Sequence, residues 1–362
     1  MSQHQHSKIE NIQALRGVAV LGVILVHLTK IEEKYFHGNT ILPGFLHIGI
    51  SGVDLFFVIS GFVMVTITRG LFQNRSALYG FFYNRTTRIY PLYWFYSLLA
   101  LMVFLIRPGM VNSSQGSHVN IIASFLLLPQ DIAPLIMVGW TLIHEMYFYL
   151  VFAVLLLFPE RWLLPLLIIW GVVAIGIVPE LELTGNPFIA VATSPFTLEF
   201  IAGCVIAYTY FIKKYNSSVL HYFIIVSLVW WLVGYGIFVV ETHALEPLSV
   251  WIRILIFGIP ATLVVFSLVN IEREMGQKLP NWLILIGNAS FSIYLSHILV
   301  ISALGRIWGV GLIKNPWMNF TALLTIFLSA IAIGILSYQR LERPLLRFTR
   351  RFEKVVVGIK NA

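Results

Sequence analysis

The chain has 362 residues, of which 58% are hydrophobic and only 11% charged. Such a composition leaves too few polar side chains to cover a water-soluble domain, so a soluble enzyme or large soluble module is excluded. The formal charge of +8 does not point to nucleic-acid binding, because no polar block is long enough to carry an exposed basic domain.

Long, nearly uncharged apolar runs recur from end to end and predict an all-α, polytopic integral membrane protein. The polar lead over 1–10, with His4 and His6, reads as a solvated tail, not a metal site. The first apolar run has no small-residue cleavage site after it and is expected to be retained as a span, not removed as a signal peptide. Ten spans are predicted, near 12–29, 49–68, 90–106, 138–158, 162–178, 196–212, 219–240, 250–270, 283–304 and 318–339. The fifth ends at Pro179. The apolar piece Ile121 to Leu128 is too short to cross and ends at Pro129, which suggests a re-entrant or interfacial segment. Arg340 to Pro344 is expected to close the last helix, leaving a basic cytoplasmic tail over 341–362. One transmembrane domain over 1–362 accounts for the pattern. The single cysteine, Cys204, allows no internal disulfide and sits in an apolar run, where it reads as packing.

Basic residues orient the spans. With the N-terminus in the cytoplasm, the outer segments hold Lys30, Lys34, Arg107, Arg253, Arg306 and Lys314, leaving the other 18 of 24 Lys and Arg residues inside. That bias predicts both termini in the cytoplasm and attraction to anionic lipid.

Ionisable groups within spans are costly, roughly 2.5–3.5 kcal/mol each near the centre, and they commonly face a cavity. Arg16 and His27 stand eleven residues apart. At about 100° per residue they share a stripe of the first helix, roughly 16 Å apart along it. Given this topology, His27, Asp54, Glu145, Glu199 and His297 come from five helices at similar depth in the outer half. One shared polar cavity is expected. Ser290, Tyr294 and His297 share one face of the ninth span, and Thr141 shares a face with Glu145 in the fourth, whose start also carries Trp140. His144 points elsewhere, partly toward Tyr147. On the cytoplasmic side, Arg85 and Arg88 at i, i+3 suit either phosphate recognition or plain anchoring in a basic, aromatic belt.

A neutral histidine near a carboxylate is a competent general base, so His27 with Asp54 or Glu145 suits deprotonation of a hydroxyl that attacks an acyl carbonyl. The same inventory suits the proton relay of a coupled transporter or flippase of sugar or lipid intermediates. Composition and spacing leave both open. The halves show none of the internal repeats usual in transporters.

Six motifs in order narrow the choice. They are Arg16 with His27, then Gly52-Val53-Asp54-Leu55-Phe56-Phe57-Val58-Ile59-Ser60-Gly61-Phe62, then Arg85-x-x-Arg88-Ile89-x-Pro91. Trp140-Thr141-Leu142-x-x-Glu145-x-x-Phe148-Tyr149-Leu150, Ser290-Phe291-Ser292-Ile293-Tyr294-Leu295-x-His297 and Glu342-Arg343-Pro344 follow. Together they resemble membrane acyltransferase family 3, bacterial O-acyltransferases that modify lipopolysaccharide, exopolysaccharide and nodulation factors. The Trp-Thr-Leu form is similar to the exopolysaccharide-modifying branch. The commoner serines of the helix-four motif are replaced by Thr141 and Ile143, and Ser296 stands where a tryptophan usually precedes the ninth-span histidine. The resemblance implies acetyl-CoA or another acyl-CoA as donor, a polysaccharide or lipid-linked sugar as acceptor, no metal, and residence in the bacterial inner membrane near polysaccharide-biosynthesis machinery. It implies donor-side roles for Arg16, Arg85 and Arg88, catalysis by His27, and orientation of His27 or the acceptor by Glu145, with Asp54 in a lesser part. His297, Tyr294, Ser290, Glu199 and Trp140 would line the substrate cavity. Ser60 and Tyr149 belong to matched motifs and are expected to pack. No fused esterase-like domain is expected in the chain.

Overall fold

In hydrocarbon a backbone N–H or C=O finds no water, so an apolar chain must satisfy its own peptide groups, and helices do this within one segment. The computed structural model describes residues 9–35, 40–112, 116, 118–176, 185–242, 249–309 and 315–356. His4, His6, Pro179, Lys314 and Lys360 lie outside these residues. All regular structure among them is helical.

The first helix, α1, runs over Glu10–Tyr35. A 3₁₀ turn, Gly44–Ser51, leads into α2, Gly52–Thr68. Helix α3, Arg75–Ile106, is 32 residues long. The short α4, Ile121–Leu126, stops where Leu127 turns left-handed at φ 53°. Helices α5, Gly139–Leu155, and α6, Leu163–Gly176, follow. Next come the short α7, Pro187–Ala192, then α8, Phe196–Ile212, and α9, Ser217–Thr242. Helix α10, Ile259–Met275, is entered through Val250–Arg253 and a π-helical turn, Ile254–Gly258. The last four are α11, Asn281–Asn288, α12, Ser290–Gly309, α13, Pro316–Ser337, and α14, Arg343–Val356.

Among the described residues, eight helical stretches are long and apolar enough to cross a bilayer. The fourth and fifth expected spans are shorter, at 17 and 14 helical residues. Seventeen residues rise roughly 26 Å, a little under the hydrocarbon thickness of about 30 Å. Ahead of α5 the irregular chain is itself inside the protein, with Leu135, Ile136 and Val138 buried.

Three boundaries differ from expectation. The third span is only the second half of α3, which stays helical through Pro91 while carrying Arg85 and Arg88 in its first half. The ninth splits at Ala289 into α11 and α12. The chain does not stop winding at Arg340 to Pro344. A π turn over Tyr338–Glu342 carries it into α14, whose basic residues are interleaved with exposed Phe348 and Phe352.

Helix α1 packs against α2, α10, α11, α12 and α13 and is the central element. Its N-terminal amides are capped from α10, where the Glu272 carboxylate accepts from the backbone N–H of Glu10 at 2.9 Å and of Asn11 at 2.7 Å. The Asn11 amide then donates to Leu268 O and Gln277 O and accepts from Leu279 N–H. At the other end the buried Glu32 accepts from Ile41 N–H at 2.7 Å.

Small residues allow backbone to touch backbone where helices cross. A Cβ on Gly287 of α11 would stand 1.7 Å from Gln13 O of α1, and one on Gly203 of α8 would stand 1.9 Å from Val58 O of α2. Backbone on the far side cannot rotate away. Gly203→Ala is therefore expected to force α2 and α8 apart at a cost of about 1–3 kcal/mol or more. Gly236→Ala, where nothing lies within 4 Å, should be neutral or slightly stabilising. Thermal unfolding of the two variants in detergent, followed by size-exclusion chromatography, checks the contrast. Equal melting would refute the close-packing account.

Candidate active site

The helix crossings place the intramembrane polar residues in three groups, not in the one cavity expected. Depth along a helix, which sequence spacing supplies, says nothing of the direction in which a side chain points around the bundle.

The first group lines an inner cavity of about 150 Å³ between α1, α2, α3, α5 and α12. Arg16 comes from α1, Arg85 and Arg88 from successive turns of α3, and Glu145 and Tyr149 from successive turns of α5. Glu145 accepts from the Tyr149 hydroxyl and, at 3.3 Å, from the Ser60 hydroxyl of α2. The Arg85 guanidinium stands 5.8 Å from the centroid of the Tyr149 ring. Three cations thus face one carboxylate in a narrow space. Two buried polar atoms here, Arg85 Nε and Ser290 Oγ, have no hydrogen-bond partner within the protein. The cavity suits a slender ligand with an anionic end.

The second group lines an outer cavity of about 560 Å³, walled by His27 of α1, residues 129–134 and 137–138, Trp140, Ile143 and His144 of α5, and Val191 of α7. His27 Nδ1 lies 2.8 Å from Val23 O. A carbonyl only accepts, so Nδ1 carries the hydrogen and the lone pair of the neutral ring is on Nε2. His144 is held the same way by Trp140 O at 3.0 Å. Behind His27 stands His297, fully buried, with Nδ1 directed at Tyr294 O at 2.7 Å and Nε2 3.4 Å from His27 Nδ1. Each histidine is thus fixed in one tautomer by its own helix backbone. His27 presents an unprotonated nitrogen suited to proton abstraction.

Two buried hydroxyls separate the cavities. Thr141 Oγ1 and Tyr294 OH are 2.8 Å apart, and both donate to Val138 O, at 3.0 and 3.2 Å. Thr141 and Tyr294 line the inner cavity, while Val138 lines the outer one.

The third group lies apart from both cavities. Asp54 of α2, fully buried, is held by Arg253 through two bonds, Nη2 to Oδ2 at 2.9 Å and Nε to Oδ1 at 3.2 Å. Arg253 also donates to Ile50 O and stands 5.0 Å from the centroid of the Phe196 ring. Glu199 of α8 is buried beside this pair. A Cβ on Gly258 would approach its Oε1 to 2.5 Å. The group ties α2, α8 and the entry to α10 together.

Of the residues singled out in the sequence, Arg16, Arg85, Arg88, Glu145, Ser290 and Tyr294 thus come together in the inner cavity. His27 and Trp140 line the outer one, and His144 joins them. His297 supports His27 from behind, and Asp54 and Glu199 stand with Arg253. Glu145 and Asp54 bond to groups other than His27. Sequence reasoning missed Arg253, which looked like an ordinary charge at the outer end of a span. It also passed over Gln130 and Asp131, which lie just beyond the Pro129 that ends the short apolar piece. Ser60 and Tyr149 had been expected only to pack, though their place in the motifs was a signal. Glu342 accepts from the Ser292 hydroxyl at 2.5 Å, tying the start of α12 to the π turn. No group of three or more metal-ligating side chains is present among the described residues.

Comparison with known proteins assigns the chemistry. Residues 9–339 match the acyltransferase family 3 profile, described as Acyltransferase domain. The chain is 31% identical over 333 residues to the Exopolysaccharide production protein ExoZ of Rhizobium meliloti, covering 86% of this chain and 94% of that protein. It is 24% identical to the Acyltransferase MdmB of Streptomyces mycarofaciens over 97% of this chain and 95% of that protein. It is also 24% identical to the O-acetyltransferase OatA of Staphylococcus aureus, over 93% of this chain but 57% of that longer protein. No solved structure matches. Between the transporter and the transferase that the polar inventory left open, these matches decide: the chain belongs to acyltransferase family 3 and is a multi-pass membrane O-acyltransferase.

Proposed function

We propose that the protein moves an acyl group, acetyl in the first instance, from cytosolic acyl-CoA to a hydroxyl of a cell-surface or exported glycan. The single observation that carries this reading is the pair of cavities, one rich in arginine and one bearing a histidine lone pair, set back to back across Thr141 and Tyr294. One transmembrane domain in the bacterial inner membrane, with both termini cytoplasmic, does the work. The bias of basic residues supports that orientation.

In this mechanism the phosphates of the donor lie against Arg16, Arg85 and Arg88. The volume of about 150 Å³ admits an extended thioester arm and not a nucleotide, so the nucleotide stays outside. Glu145, held by Ser60 and Tyr149, keeps the arginine cluster from standing as uncompensated charge. The thioester passes the Thr141–Tyr294 contact and meets the acceptor beside His27. His27 Nε2 takes the hydroxyl proton as the oxygen attacks the carbonyl carbon. The C–O bond forms and the C–S bond breaks. The proton on His27 then goes to the leaving thiolate, giving free CoA and the ester.

Three outcomes test this. With His27→Ala, O-acetyl content of the surface polysaccharide is expected to fall by about 10²–10⁴, the usual contribution of a general base, at matched protein level. Unchanged acetylation removes His27 from the chemistry. Reversing charge with Arg85→Glu and Arg88→Glu should weaken acetyl-CoA binding at least about tenfold in calorimetric titration, since each arginine supplies charged hydrogen bonds of roughly 1.5–3 kcal/mol. Undiminished affinity would leave these arginines as membrane anchors. Tyr294→Phe deletes the hydroxyl that joins Val138 and Thr141. It is expected to raise acceptor-independent release of CoA thiol relative to transfer, as water reaches the thioester. An unaltered ratio would show that the contact does not partition the two sides.

A further inference from the structure

Helix α4 and the irregular segment that leads from it to α5 are fastened far more closely than a connector requires. Tyr93 OH of α3 donates to Ser124 O at 2.7 Å, Tyr90 OH to Leu126 O at 2.9 Å, and Trp94 Nε1 to Phe125 O at 2.9 Å. The Asn112 amide donates to Pro134 O at 2.9 Å, and Ser124 Oγ accepts from Leu135 N–H at 3.0 Å. Bonds from α3 thus pin α4 just ahead of Gln130, and those of Asn112 and Ser124 pin Pro134 and Leu135 after it. That is the preorganisation a binding site needs.

Held in this frame, Gln130 borders the outer cavity with both ends of its amide unused. Neither Oε1 nor Nε2 has a hydrogen-bond partner, although both atoms are buried. A buried amide left this way is destabilising, and proteins rarely keep one that nothing satisfies. An amide offers an acceptor and two donors side by side, which matches a pair of neighbouring hydroxyls. Asp131, exposed on the same wall, adds a carboxylate that accepts from a third. No lysine or arginine lines this cavity among the described residues, so a phosphate or carboxylate ligand meets an acidic wall. The volume of about 560 Å³ lies within the roughly 300–1,000 Å³ of ligand sites.

We propose that the outer cavity is a binding site for a neutral sugar residue, with Gln130 the side chain that holds its hydroxyls and Asp131 a second contact. The identification of this sugar as the acyl acceptor rests on the function proposed above. The existence of the site does not. Gln130 is accordingly a positioning residue, which turns the reacting hydroxyl toward His27.

The test is equilibrium binding to the full-length protein in detergent, with no acyl-CoA present. The probes are fluorescently labelled cellotetraose and the de-O-acetylated repeat unit of the host's surface polysaccharide, with oligogalacturonate as the anionic comparison. Gln130→Leu is expected to weaken binding of a neutral probe at least about tenfold, the effect of losing one or two hydrogen bonds and leaving hydroxyls unpaired. Asp131→Ala, at an exposed position that folding does not depend on, should weaken it several-fold. If Gln130→Leu does not fold, Gln130→Glu keeps the shape and removes the N–H donors, and the same loss is expected. Undiminished binding in these variants, tighter binding of oligogalacturonate, or no binding of either neutral probe to the unaltered protein overturns the proposal. Because neither donor nor His27 takes part in the measurement, a failure here is distinct from a failure of His27→Ala to abolish transfer.

Discussion

A bilayer offers no water to a charge, so every ionisable side chain within this bundle must be satisfied by another part of the protein. That constraint explains several of the polar ties between elements. Asp54 and Arg253 join α2 to the entry of α10, and Glu272 holds the first turn of α1. Glu145 draws Ser60 and Tyr149 together, and Glu342 reaches Ser292. With so much paired, the atoms that remain without partners are few, and several of them border the two cavities. Arg85 and Ser290, with unpartnered Nε and Oγ, line the inner cavity, and Gln130, with both amide ends unpartnered, lines the outer one.

Those two cavities differ in their chemistry. One gathers positive charge in a narrow space, and the other keeps a base in a fixed tautomer. Physical chemistry alone takes the site that far, to one cavity suited to an anionic group and another bearing a basic nitrogen. Membership of acyltransferase family 3 adds that the chain is an acyltransferase. Thr141 and Tyr294 on the inner side meet Val138 on the outer side where the two cavities adjoin.

Much of this was legible in the chain. Apolar runs located the helices, because hydrophobic length is a direct demand of the bilayer. The arginines of α3 and the stripe of Arg16 and His27 were visible as spacing. What could not be read was direction around the bundle. The expected topology puts His27, Asp54, Glu145, Glu199 and His297 at one depth, yet their directions around the bundle send them to three places. The break at Ala289 carries neither proline nor glycine and arises from tertiary packing, including the close approach of Gly287 to α1. Gln130 acquires its meaning only from Tyr90, Tyr93, Trp94 and Asn112, which hold its surroundings from elsewhere in the sequence. The long α3 was foreshortened in prediction because its first half is basic and Pro91 resembles a helix start.

That uninterrupted α3 has a mechanical consequence. Its turns at Arg85 and Arg88 line the inner cavity, and Tyr90, Tyr93 and Trp94 just beyond hold the backbone of α4 at Leu126, Ser124 and Phe125. Among these residues Pro91 lacks an N–H, so the Thr87 carbonyl is released from its helical partner and the rod has one compliant joint. Ten residues of one rod, about two and a half turns, thus carry both the arginines of the inner cavity and the fastenings of α4, so a change in its tilt displaces the two together.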